Sequence, residues 1–424
     1  MLKNRILQAL VALSLFVVGC DRPLPGGGED AKSNLARLTT PAPQGDLDAT
    51  VRGMNELTFA VNKRISPPNE NFIHAPASFN TALGMASAGA ANSTLDAFRS
   101  TLRINIAQDA FHLAMNDLDR QLSSRGQGAA GTNGRPFKLT IVNQTFAQKG
   151  FKLEQGYLDL LARQYGSGLK LLDFKNSAEP SRLAINDFVA VNTADLIPEL
   201  LKPGFITPDT RVVLANAVYF NASWASPFEK ASTRPGHFTL GNGTQVSVPM
   251  MNDGVHAARA ATVGNVEVVE LPYQKDEVSM VLLMPTSGDL ATLENSLDQA
   301  KLDSFIAPLT SQQLEFSMPK FNIDKASSLS EPLKSEGLAV AFGGDADFSA
   351  MTGTKELQIS DVIHQAVIKV TEEGTEAAGA TAIGFVTTSI PQTRPLAIDR
   401  PFVFLIRDRA TGVVLFMGHV VDPR

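Results

Sequence analysis

The sequence predicts a mixed α+β domain, and three observations carry that reading. Segments of helical spacing alternate with strand-like segments, but without the regular strand–helix–strand period of a parallel fold. Several strand-like segments are apolar on both faces, which suits a sheet covered on both sides. With 424 residues and 44% apolar content, the chain can bury a sizeable core. Length alone would allow two or three domains. No internal repeat and no Pro/Gly-rich break divides the chain after about residue 50, so one domain over 49–424 is expected.

In chain order, the first residues read as an export leader. Lys3 and Arg5 supply positive charge, and Ile6 to Val18 form an apolar run too short to span a bilayer comfortably. The run ends in Val17, Val18, Gly19 and Cys20, which looks like a bacterial lipobox: a small residue for signal-peptidase cleavage, then a thiol to carry a diacylglycerol. The alternative is an ordinary secretory signal with an incidental cysteine. Cys20 is the only cysteine, so no intramolecular disulfide is available. Residues 1–19 are thus a leader. Residues 20–48, with Pro23, Pro25, Gly26, Gly27, Gly28, Pro41 and Pro43, are expected to be a flexible tether.

Residues 47–65 and 77–90 have helical spacing, 139–148 alternate like a strand, and 153–165 return to helix. Further strands are expected at 212–220, 266–271, 279–284, 313–318, 362–370 and 402–406.

Net charge is −6 with 19% charged residues, which leaves no basic footprint for nucleic acid. The six histidines form no HExxH or other metal spacing, and a lone cysteine excludes a zinc ribbon. There is no GxSxG elbow and no phosphate-binding P-loop. The GxGxxG at Gly126–Gly131 neither follows a strand nor opens a helix, so it reads as a surface loop. Asp345, Asp347 and Asp361 lack the surrounding loop of a calcium site. Neither enzyme chemistry nor a cofactor or metal is expected.

The stretch after residue 371 is the unusual one. Glu372, Glu373, Gly374, Thr375 and Glu376 lead into Ala377, Ala378, Gly379, Ala380, Thr381 and Ala382. An exposed loop needs polar residues and turn formers rather than successive alanines. As a strand, it would carry Thr375, Ala377, Gly379, Thr381 and Ile383 on one face and Glu376, Ala378, Ala380 and Ala382 on the other. Small side chains suit a segment that slides into a sheet. The plain alternative is an Ala/Gly-rich linker.

That stretch closely resembles the reactive-centre hinge of the serpins, the serine protease inhibitor family. Other blocks follow in the family's order over residues 50–424. They are Asn71 to Thr94 (NFIHAPASFNTALGMASAGAANST), Thr210 to Trp224 (TRVVLANAVYFNASW), Val248 to Met251, Glu270 to Tyr273, Ser279 to Pro285, Met318 to Phe321, Asp347 to Ser349, Arg400 to Phe404 and Leu415 to Gly418. The resemblance implies one large central sheet, two smaller sheets, about eight to nine helices and an exposed reactive loop over about 372–397. It implies a monomeric suicide inhibitor whose partner is a serine protease. The protease attacks the loop and forms an acyl-enzyme. The cut loop then inserts into the main sheet before water releases the enzyme. Each ~1.4 kcal/mol of insertion barrier costs about tenfold in that race.

In family register, the scissile bond falls about fourteen positions after the hinge glycine, at Thr388–Ser389. Thr387, Val386 and Phe385 remain alternatives, and Arg394 lies six residues too far. The small, β-branched flank suits an elastase-like or subtilisin-like protease. Cysteine proteases, or a non-inhibitory surface-binding role, are the other readings. By the same resemblance, Ser78, Asn216 and His364 belong to the region where the sheet parts, and Lys320 with Glu372 forms an ion pair beside Trp224. The sequence departs from the family at Ala75 (commonly serine), at Phe188 (usually tryptophan) and at Thr193–Ile197, which lacks a Gly-Lys pair.

Overall fold

The computed structural model describes residues 28–127, 129, 137–252, 254–375 and 393–424. Strand β1 (Glu29–Ala31) precedes helix α1 (Gln44–Ile65), strand β2 (Phe72–His74) and helices α2 (Pro76–Ser87), α3 (Asn92–Thr101) and α4 (Gln108–Ser124). Strand β3 (Lys138–Gln148), helix α5 (Gln155–Leu160), strand β4 (Leu169–Leu172), helix α6 (Ala178–Asn192) and strand β5 (Val212–Ser223) follow. Five strands come next: β6 (Arg234–Thr239), β7 (Gln245–Asn252), β8 (His256–Val263), β9 (Val266–Pro272) and β10 (Val278–Pro285). Helices α7 (Leu290–Ser296) and α8 (Gln299–Ile306) lead to β11 (Thr310–Pro319) and β12 (Phe321–Ser328). Two short helices, α9 (Ser330–Leu333) and α10 (Ser349–Thr352), precede β13 (Ile359–Thr371) and β14 (Gly374–Thr375). The chain ends with β15 (Arg394–Ala397), β16 (Phe402–Asp408) and β17 (Val414–Val420).

Local chemistry accounts for the long elements. Helix α1 buries Leu47, Val51, Met54, Leu57 and Val61 along one face, with Asp46 in its first turn and Lys63 and Arg64 in its last, each complementing the helix dipole. Asp289 and Asp298 cap α7 and α8 by accepting the Thr292 and Lys301 amides. Every residue of β10 is buried, because that strand lies inside a sheet covered on both faces.

The main sheet has seven strands in the order β1-β4-β3-β5-β14-β13-β12. Its two long central strands, β5 and β13, are parallel and pair directly from Ile359–Val212 to Ala366–Val218. Beyond that contact the short β14 sits between them. On one face of this sheet, α6 packs Ala184, Ile185 and Val189 against Phe146, Val213 and Ala215. The larger core cluster, which includes α1, α2 and the second sheet, joins the β5 residues Leu214 and Val218.

The second sheet has ten strands, where two separate smaller sheets were expected. Strand β11 joins them. Its first half pairs with β8 and its second half with β7, while β15 runs parallel to it.

Residues 28–43, expected to be tether, are instead docked on the body. Strand β1 pairs antiparallel with β4, and the Leu38 amide donates to the Arg163 carbonyl at 2.8 Å. The Arg37 guanidinium donates to Asp119 at 2.7 Å and to Asn116 at 2.8 Å. The free backbone groups of an edge strand offer such a segment its partners. Cys20 and the leader lie outside the described residues.

Candidate functional site

The site is a hairpin and the two strands between which its short arm is paired. At Thr371 the chain leaves β13, turns through Glu372 and Glu373, and runs back as β14. Gly374 pairs with Thr371 on one side and Ser223 on the other, while Thr375 pairs with Val370 and Ala222. Two hinge residues are therefore already strand members between β5 and β13. Gly374 has φ +151, and a Cβ there would lie 2.1 Å from the Ala222 carbonyl oxygen and 2.7 Å from the Ser223 Cα. Only glycine fits.

The turn is held at several points. The Trp224 amide donates to the Glu373 carbonyl at 3.0 Å, and the Phe228 amide to the Glu372 carbonyl at 2.8 Å. Lys320 Nζ lies 2.9 Å from a Glu372 carboxylate oxygen, and the Thr233 hydroxyl donates to the same carboxylate at 2.7 Å. Burial alone would raise the Glu372 pKa. The Lys320 and Thr233 bonds outweigh it and hold the carboxyl below its usual range. The Glu372 side chain is only 5% exposed but that of Lys320 is 38% exposed, so one partner keeps part of its hydration. Glu373 pairs with Lys230.

Beneath the hairpin, Trp224 stacks on Tyr273 with ring centroids 4.5 Å apart and an interplanar angle of 12°. Trp224 Nε1 donates to the Thr371 carbonyl at 3.0 Å. The Tyr273 and Thr375 hydroxyls hydrogen-bond at 2.7 Å, and Thr375 is fully buried.

Roughly 20 Å further down the sheet, by strand rise, a polar cluster crosses three strands. Asn143 of β3, Asn216 of β5 and His364 of β13 stand in register. His364 Nε2 accepts the Ala75 amide at 2.8 Å, so Nδ1 carries the proton and donates to Asn216 Oδ1 at 2.5 Å. Asn216 Nδ2 donates in turn to Ser78 Oγ at 2.5 Å and to Asn143, and Ser78 donates to Asn143 Oδ1 at 2.9 Å. Burial pushes the His364 pKa down to about 3.

The structure thus gathers the expected residues into two groups. Ser78, Asn216 and His364 form the polar cluster, while Lys320, Trp224, Glu372, Gly374 and Thr375 form the hairpin site. Ala377, Ala378, Gly379, Ala380, Thr381, Ala382, Thr388 and Ser389 lie outside the described residues. Arg394 opens β15, opposite Leu314, and donates to Glu267 at 3.1 Å. Asn143 and Tyr273 were not singled out as site residues by sequence reasoning, and Thr233 was noted only for its place in the family pattern. Tyr273 closes one of the recognised blocks, but nothing local marks Asn143.

The positions that depart from the family pattern are visible too. Ala75 contributes its amide to His364. Phe188 meets Phe146 edge-on at 5.6 Å with Lys170 over its ring, and Ala194 and Asp195 take left-handed backbone conformations. Among the described residues no group of three or more His, Cys, Asp or Glu could hold a metal ion.

Residues 52–423 match the family profile described as "Serpin (serine protease inhibitor)". A protein named as an uncharacterized serpin-like protein, from Thermococcus kodakarensis, is 31% identical, with 99% of each chain covered. Human Serpin B3 is 31% identical over 83% of this chain and 94% of its own. The crystal structure of the thermophilic serpin tengpin in its native state superposes with a TM-score of 0.80 at 25% identity, covering 92% of this chain and 97% of tengpin. On the match across its domain and the shared fold, this chain belongs to the serpin family.

Proposed function

We propose that this serpin is a suicide-substrate inhibitor of serine proteases of elastase-like or subtilisin-like preference. The observation that carries the reading is the docked hinge. Gly374 and Thr375 are already hydrogen-bonded to both strands that a longer insert must part. Below them β5 and β13 are held together by ordinary parallel pairing and by the Asn216–His364 bond. A cut loop can exchange that pairing for two antiparallel ladders, which gives insertion a thermodynamic reason to run forward.

Thr388–Ser389 is the proposed bait bond. The place of Arg394 in a paired strand supports that choice over a basic target. Ser78, Asn216 and His364 are proposed as the point where the sheet parts, and Lys320, Glu372 and Trp224 as the gate above it. Cys20 is proposed to carry a lipid that anchors the exported protein to the cell envelope.

The test is to incubate the protein lacking residues 1–19 with elastase, subtilisin and trypsin separately, and to resolve the products on denaturing gels with intact mass. The expected result is a boil-resistant complex with elastase or subtilisin and release of a peptide beginning at Ser389. Clean cleavage by all three, with no complex and no gain in heat stability, overturns the inhibitory reading.

A further inference from the structure

The geometry points to Tyr273 as a positioning residue. Its hydroxyl is the catch that holds Thr375 in the sheet and so fixes where insertion starts. The inference rests on the inhibitory reading and concerns a residue that the trapping chemistry itself does not touch.

Tyr273 is fully buried, and its ring leaves little freedom. Trp224 stacks on one face at 4.5 Å, and Phe220 packs against it edge-on at 5.1 Å and 83°. A phenylalanine would fill this space equally well, so packing does not explain the hydroxyl. That oxygen has one hydrogen-bond partner among the described residues, the Thr375 hydroxyl at 2.7 Å. The relation is reciprocal, because the Thr375 hydroxyl is buried too and, among the described residues, bonds to Tyr273 alone. Burial raises the Tyr273 pKa well above its ordinary value, so the ring stays neutral and serves as donor or acceptor to a neutral hydroxyl.

A buried hydroxyl deprived of its partner is penalised, whereas replacing both partners by apolar groups of similar shape is close to neutral. Tyr273→Phe therefore weakens the hold on Thr375 while leaving the pocket filled. The cut loop must then dock Thr375 before it can proceed, and insertion starts from further back. Thr375→Val leaves the tyrosine hydroxyl unpaired with the same consequence. The double variant Tyr273→Phe/Thr375→Val restores a matched, apolar contact.

The protein carries its own probe, since Trp224 is its only tryptophan and lies against Tyr273. Three measurements on wild type, both single variants and the double variant test the proposal. They are the emission of Trp224, hydrogen exchange at the Thr375 amide, and the moles of inhibitor consumed per mole of elastase or subtilisin trapped. Each single variant should shift the emission, raise the exchange rate about three- to tenfold and raise inhibitor consumption several-fold. The double variant should return all three towards wild type, which loss of packing would not do. Equal exchange and emission in all four proteins overturns the catch. So does a double variant whose defects are the sum of the two singles. If wild type traps neither protease, the inhibitory reading fails by itself, while exchange and emission still decide whether Tyr273 holds the hinge.

Discussion

The side-chain carbonyl of Asn216 accepts the Nδ1 proton of His364 at 2.5 Å, across the directly paired parallel strands β5 and β13. The imidazole must be neutral here, because its Nε2 accepts the Ala75 amide and the ring's single proton sits on Nδ1. A second buried histidine stands close by. His74 lies between Phe72 and Phe79, with ring centroids 5.7 Å and 6.1 Å away, and neither of its nitrogens has a hydrogen-bond partner among the described residues.

Acidification should weaken the native state through these two rings. Burial pushes His74 and His364 from 6.5 down to about 3, and for His74 the nearby His364 adds to the effect. A histidine with a depressed folded pKa contributes its stability fully above its unfolded value near 6.5. That contribution is lost progressively as pH falls from there towards about 3. At pH 5 the loss is about 2 kcal/mol for each ring. The melting temperature of the uncleaved protein should therefore drop between pH 7.5 and 5, and His74→Phe should flatten that slope. An unchanged slope in the variant would show that His74 does not titrate with unfolding.

The hairpin turn offers a different kind of test. Glu372→Lys places a second ammonium beside Lys320 and removes the acceptor of the Thr233 hydroxyl. Because Lys320 keeps part of its hydration, the cost is about 1–3 kcal/mol, less than for a fully buried pair. With its turn loosened, β14 no longer closes the top of the gap between β5 and β13. Native gels should show spontaneous monomer conversion or polymers, at a rate about tenfold above wild type. The exchange Lys320→Glu with Glu372→Lys should restore the monomer. A purely monomeric Glu372→Lys protein with normal stability would remove this pair from the gate.

Much of the fold was legible because it is set by local composition. The apolar runs at 279–284 and 402–406 became β10 and β16, and the helical spacing at 47–65 became α1. Gly374 was marked out in the sequence, and the closeness of the Ala222 carbonyl is the reason that only glycine fits there. What escaped was set by partners distant in sequence. Nothing local distinguishes Asn143 from any polar strand residue until β5 brings Asn216 beside it. The merging of the smaller sheets depends on β11 changing neighbours halfway along. Proline and glycine between 23 and 43 suggested a tether, but Arg37 finds Asp119 and Asn116 only once α4 is folded. The Tyr273 and Thr375 hydroxyls, which meet at 2.7 Å, lie 102 residues apart in the chain.

The last prediction follows from register. Thr375 faces the interior at Tyr273 and pairs with Val370 of β13 and Ala222 of β5. A strand that lengthens from this point carries the side chains of alternate residues inward, so positions 377, 379 and 381 share the Thr375 face. Counting on antiparallel to β13 and β5, position 381 comes level with both His364 and Asn216. In the proposed mechanism, insertion would place a new strand between those two residues and break their hydrogen bond. It leaves an imidazole N–H donor on one side and an amide carbonyl acceptor on the other. A hydroxyl can accept from the first and donate to the second, and Thr381 is the one hydroxyl residue between Glu376 and Phe385. Thr381→Val keeps the shape but leaves both polar groups unanswered. The cleaved protein should then lose about 1–3 kcal/mol of its stability, while the uncleaved protein is unchanged. Ala380→Ser, on the opposite face, should alter neither. Guanidinium unfolding of the cleaved and uncleaved forms measures both quantities. An equal loss in the two forms, or none in the cleaved one, would mean that the inserted strand does not keep the register begun at Gly374 and Thr375.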